Sequence, residues 1–134
     1  MSSSSFVMVV DDEEELAHLF SYFLEGSGFN SISFTDPLLA LEDFKRNPEK
    51  FSLILTDLRM PGMNGVELAK RIREYNPDVI IVLITAFYID DVTNSDDFKK
   101  AGISNVKSNV LSKPVRLAQL QQYFKDECIQ GQLQ

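Results

Sequence analysis

Three mainly apolar runs and one short mixed segment, each ending in a polar group, set the pattern of this chain. Phe6-Val7-Met8-Val9-Val10 runs into Asp11-Asp12, and Leu53-Ile54-Leu55-Thr56 runs into Asp57. Residues 79–84 deliver Thr85, and Asn109-Val110-Leu111-Ser112 delivers Lys113-Pro114. Short apolar runs without strict alternation read as strands covered on both faces. A shorter strand with alternating faces is predicted at Ser31-Ile32-Ser33-Phe34.

Between the strands the period becomes helical. Leu16, Leu19, Phe20, Phe23 and Leu24 predict one buried stripe. Asp12 or a neighbouring acid is placed to cap that helix, Glu13, Glu14 and Glu15 suit its positive end, and Gly26 and Gly28 stop it. Asp36-Pro37 joins an N-cap to a proline at the first helical position and opens a helix to about Arg46, which Asn47-Pro48 closes. A turn-rich loop follows Asp57, with Gly62 and Gly65 serving turn geometry. A third helix is predicted over 66–75, ended by Asn76-Pro77. A fourth is predicted over 90–101, weakened by Thr93-Asn94-Ser95, and a last one after Pro114 carries Leu117, Leu120 and Phe124. The polar ends are expected to fray.

Alternating strands and helices with apolar strands predict an α/β fold, a doubly wound parallel sheet of five strands with helices on both faces. Right-handed crossovers leave few topologies, and the flavodoxin-like order 2-1-3-4-5 fits best. It sets the first strand beside the third, so Asp11, Asp12 and Asp57 meet at the carboxyl edge, where such sheets bind ligands.

Composition narrows the reading. The 134 residues suit a single domain over 1–134, with a core of about 6–128. A formal net charge of -7 argues against direct binding of nucleic acid or an anionic membrane. One cysteine, Cys128, excludes an intrachain disulfide and a cysteine-based zinc site. No apolar stretch reaches membrane-spanning length, and the start of the chain lacks the features of a signal peptide. A cytoplasmic protein is the expectation.

Three carboxylates held together repel one another, and a hard divalent cation compensates that repulsion. An open, oxygen-lined site with room for water suits Mg²⁺. The candidate ligands are Asp12 and Asp57, Asp11 through water, and a loop carbonyl such as that of Arg59. Lys113 adds a positive charge, Thr85 a hydroxyl and Ala86 a backbone N–H. Together these groups would bind a tetrahedral dianion and leave Asp57 as nucleophile, as phosphoryl transfer requires. Asp11 and Asp12 could instead be a capping cluster, but capping needs one acid rather than a pair beside a third. His18 falls off the apolar stripe and reads as solvated, and Met60 and Met63 read as loop packing.

Val9-Val10-Asp11-Asp12, the stretch from Leu55 through Asp57 to Gly65, Thr85-Ala86 and Lys113-Pro114 carry a resemblance to the receiver domain of two-component response regulators. The resemblance runs from Phe6 to about Cys128. It implies that Asp57 accepts a phosphoryl group from a phosphohistidine on a histidine kinase or phosphotransfer domain. The receiver would catalyse that transfer and a slow dephosphorylation with Mg²⁺ or Mn²⁺, as a signalling domain rather than an enzyme. Asp11 and Asp12 become metal-site acids, Thr85 the switching hydroxyl, and Lys113 the phosphate partner in a cis Lys113–Pro114 unit. A homodimer or an effector domain would use the face of the fourth helix, fifth strand and fifth helix.

The chain also departs from the family pattern. The stretch from Thr85 to Lys113 is several residues longer than usual, and Val110 stands where a switch aromatic is common. Arg59 and Phe87, each two residues past a key side chain, occupy positions that place or exclude a hydrolytic water in the family. The altered switch region supports an alternative, a receiver-like interaction module that works without phosphorylation. A haloacid-dehalogenase-type hydrolase would need an acid two residues after Asp57, where Arg59 stands. A flavodoxin-like electron carrier would set a flavin phosphate against Asp11-Asp12-Glu13-Glu14-Glu15.

Overall fold

The apolar runs become five parallel strands in the order β2-β1-β3-β4-β5: β1 (Phe6–Val10), β2 (Asn30–Phe34), β3 (Phe51–Asp57), β4 (Ile80–Thr85) and β5 (Ser108–Ser112). The computed structural model describes residues 5–85, 99 and 108–112 of the chain. Among these, three helices connect the strands: α1 (Glu14–Gly26), α2 (Pro37–Arg46) and α3 (Gly65–Tyr75). The predicted fourth and last helices, apart from Lys99, lie outside the described residues, as does the Lys113–Pro114 bond.

The strands are apolar at both parities because each parity serves a different helix layer. Val7, Val9, Leu53, Leu55, Val82 and Ile84 pack with Ala17, Phe20 and Leu24 of α1. Met8, Val10, Ile54, Ile81 and Leu83 pack on the other face with Ala40, Leu41 and Phe44 of α2 and with Leu68, Ala69 and Ile72 of α3. Alternation of side chains across a strand makes the two cores one decision.

The α1 stripe is narrower than its spacing predicts. Ala17, Phe20 and Leu24 are buried, whereas Leu19 is 49% exposed. Glu13 is the N-cap but makes no side-chain cap hydrogen bond; the Glu13 N–H instead donates to Asp11 Oδ1 at 2.9 Å. Gly26 is the last helical residue rather than the stop, and Gly28 at φ 96° makes the reversal that leads into Phe29. In β2 the predicted alternation is missing, because Ser31 through Phe34 are all half-buried at the edge of the sheet.

The other two helices are capped as their sequences dictate. Asp36 accepts from the Leu38 N–H at 2.9 Å, with Pro37 next to it. Asn64 accepts from the Glu67 N–H at 2.8 Å. At the far end of α3, Arg73 Nη1 donates to the carbonyls of Pro77 and Val79, at 3.1 and 2.5 Å, tying the helix to the entry of β4. Burial lowers the pKa of this guanidinium, and the charge of Asp78 partly offsets that.

Candidate functional site

Parallel register puts the polar ends of the strands on one edge. Val10 pairs with Thr56, Asp57 with Ile84, and Thr85 with Ser112. Asp11 follows β1 directly and its N–H donates to Phe34 O at 3.0 Å, extending the contact with β2. Asp57 is the last residue of β3 and Thr85 the last of β4. By strand alternation Asp57 continues the row of Leu53 and Leu55, and Asp11 the row of Val7 and Val9. Both acids therefore fall on the α1 side of the sheet. Asp12 lies one residue further, at the start of the turn into α1.

Carboxylate oxygens of Asp11, Asp12 and Asp57 lie within 4.8 Å of one another. Asp11 is 1% exposed, Asp57 is 7% exposed, and Asp12 is open to solvent. At such a separation each ionised pair repels by on the order of a few kcal/mol at an effective dielectric of about 20. The donor set fits a hard divalent cation: all oxygen, anionic, buried on two sides and open at Asp12 for water. His18 is exposed and is not part of this cluster, and Met60 packs into the core.

The loop after β3 is held close to Asp57 by main-chain bonds. The Leu58 N–H donates to Ile84 O at 2.8 Å, and the Gly65 N–H closes the loop onto Leu58 O at 2.7 Å. Gly62 has φ 87°, the turn role read from sequence, but Gly65 does not have a positive φ. Gly65 is needed for a different reason. A Cβ there would overlap the Asp57 carbonyl oxygen and lie 3.1 Å from Leu58 Cα. Thr56, fully buried, donates its hydroxyl to the same Asp57 carbonyl at 3.0 Å. Neither contact was visible in the sequence. The Asn64 cap was not read from the sequence either, although Asn64 and Glu67 stand three residues apart, as in a capping box.

Thr85 is buried, at 1% exposure, on the strand next to Asp57. Val110 is half-buried in β5, pairs with Leu83 and packs against the α2–α3 core. Arg59 has an exposed side chain two residues beyond Asp57. Ala86 and Lys113 lie outside the described residues, each one position past a strand end, at Thr85 and Ser112 respectively. Among the described residues no helix is long and apolar enough to cross a membrane.

A parallel sheet in this order with an acid cluster at its carboxyl edge is the architecture of receiver domains, and the comparisons agree. The chain belongs to the response regulator receiver domain family, whose model matches residues 7–125. The response regulator receiver protein CpdR of Brucella abortus is 32% identical over 114 residues, covering 85% of this chain and 88% of that protein. Other curated relatives are longer, and the chain spans 11% to 46% of their length. A receiver domain protein of Clostridium thermocellum superposes with a TM-score of 0.79 at 20% identity, over 96% of this chain and 98% of that one. The response regulator TrrA of Thermotoga maritima, solved with Mg²⁺ and BeF, gives 0.74 at 26% identity, over 91% of this chain and 97% of that one. The chain is thus similar to two-component signalling proteins, and its sheet is that of the CheY-like fold.

Proposed function

We propose that Asp57 is the phosphoacceptor of this receiver, taking a phosphoryl group from a phosphohistidine on a histidine kinase or phosphotransfer domain. The observation that carries the reading is the convergence of the Asp11, Asp12 and Asp57 carboxylates within 4.8 Å, beside buried Thr85 on the neighbouring strand. An Asp57 carboxylate oxygen attacks phosphorus in line, the phosphorus–nitrogen bond breaks, and the departing imidazole keeps its electron pair and takes up a proton. Little covalent chemistry is asked of the protein beyond positioning and charge balance.

Asp11, Asp12, Asp57 and the Arg59 carbonyl would hold Mg²⁺ or Mn²⁺. When bound, the cation supplies neutralisation of the carboxylates and of the phosphoryl oxygens. That the similar TrrA was solved with Mg²⁺ and BeF supports this assignment. The Thr85 hydroxyl, the Ala86 N–H and the Lys113 ammonium are assigned to the phosphoryl oxygens, at strand ends adjacent in the sheet. The output face is assigned to β5 and the segments flanking it, for a second copy or an effector domain. Residues 1–134 are assigned to one receiver domain acting in the cytoplasm, without direct contact of that domain to nucleic acid or membrane.

Intact-mass measurement with acetyl phosphate and Mg²⁺ tests it. One phosphoryl adduct should form on the wild-type chain and vanish in Asp57→Asn. An undiminished adduct in that variant would overturn the acceptor assignment, and no adduct on wild type would favour the phosphorylation-independent module.

A further inference from the structure

We infer that Thr56 and Gly65 are positioning residues that clamp the main chain of Asp57 from two directions and so aim its carboxylate. The inference rests on Asp57 being the phosphoacceptor. Thr56 sits on the face of β3 that packs against α2 and α3, where its strand neighbour Ile54 and its cross-strand partners Val10 and Leu83 are apolar. A hydroxyl there costs free energy unless it is paired. A valine of the same shape would fill the space. The hydroxyl is paired, and its partner is the carbonyl of Asp57.

Gly65 presses on that carbonyl from the side of α3. It is buried, it opens the helix, and its φ is one any residue adopts. Alanine would suit a helix better by up to about 1 kcal/mol. What selects glycine is contact: a Cβ would overlap the Asp57 carbonyl oxygen and stand 3.2 Å from its carbonyl carbon. The Gly65 N–H bond to Leu58 O holds the helix start in that place, and the Leu58 N–H bond to Ile84 O holds the far side. The peptide unit after Asp57 is therefore fixed by a hydroxyl, a helix start and the sheet ladder. Its Cα, and the origin of the carboxylate, have little room to move.

Displacement of a nucleophile by about an ångström is enough to cost on the order of a hundredfold in rate. The test is phosphorylation kinetics with acetyl phosphate and saturating Mg²⁺ on wild type, Thr56→Val, Thr56→Ser and Gly65→Ala, with melting curves on each. Thr56→Val and Gly65→Ala should lose roughly tenfold to a hundredfold in the saturating rate while the half-saturating donor concentration stays put. Thr56→Ser, which keeps the donor, should recover most of the rate although it melts no higher than Thr56→Val. A role in packing alone would make rate follow melting temperature, so equal rates for the serine and valine variants would overturn the inference. Wild-type rates in both Thr56→Val and Gly65→Ala would do the same. If Gly65→Ala fails to fold, the two Thr56 variants decide. Absence of any adduct on wild-type Asp57 would instead remove the acceptor reading on which the inference stands.

Discussion

The Asp11 carboxylate accepts the Glu13 N–H at 2.9 Å while lying within 4.8 Å of the Asp57 carboxylate. One buried acid thus fixes the turn that leads into the first helix and helps load the site with negative charge. The two roles separate by substitution. Asp11→Asn keeps a side-chain oxygen for the Glu13 N–H and removes a charge, whereas Asp11→Ala removes both. In metal-free buffer Asp11→Asn should melt at or above wild type. Asp11→Ala should be less stable than Asp11→Asn by about 1 kcal/mol, the worth of one hydrogen bond, or roughly 4 °C for a domain of this size. Thermal unfolding followed by circular dichroism checks this, and equal melting of the two variants would show that the bond does not matter.

Mg²⁺ should stabilise the folded chain, since the acid cluster exists only in the native state. At about a hundredfold excess over its dissociation constant the gain is ~2.7 kcal/mol. Asp12 is the exposed member of the cluster, so Asp12→Ala perturbs packing least. That variant should lose most of the Mg²⁺-dependent rise in melting temperature, and chelation should return wild type to its metal-free value. Parallel rises in the two proteins would place the cation elsewhere.

The sheet and the acid cluster were legible because their signals are local. An apolar run followed by Asp11-Asp12, Asp57 or Thr85 announces both a buried strand and its carboxyl edge. Handedness then left few strand orders, and the flavodoxin-like one fitted best. What stayed hidden depends on tertiary approach. The Thr56 hydroxyl bond and the Gly65 contact involve residues that are near Asp57 in space for reasons no periodicity carries. The same limit explains Leu19, whose spacing fits the buried stripe of α1 although α1 presents only a narrow face to the sheet. The half-burial of all of Ser31 to Phe34 follows from β2 lying at the edge, a property of the assembled sheet.

That narrow face makes a direct contrast available on one helix. Leu24 is fully buried among the α1-side core residues, and Leu24→Ala should destabilise by about 2–5 kcal/mol. Leu19→Gln, at a half-exposed position, should stay within about 0.5 kcal/mol of wild type. Urea unfolding of the two variants measures both. A large loss from Leu19→Gln would mean that the position is covered in solution.

The phosphorylated form should be long-lived, and Arg59 should be one reason. Hydrolysis of an aspartyl phosphate needs a water held in line with the bond to phosphorus. Arg59 stands two residues beyond Asp57, and it offers neither a carboxylate nor an amide to orient that water. Its guanidinium is instead suited to a charge-assisted hydrogen bond with a phosphoryl oxygen, which stabilises the ground state. Arg59→Asn removes the cation and supplies an amide, so both changes act in the same direction. Phe87, two residues after Thr85, is apolar at the other position where the family places or excludes that water, and Phe87→Glu supplies a carboxylate there. After removal of the phosphodonor, decay of the Asp57 adduct followed by intact mass should be faster in each variant than in wild type, and more so where a general base is gained. Unchanged decay in both variants would end the idea that these two side chains set the lifetime of the signal.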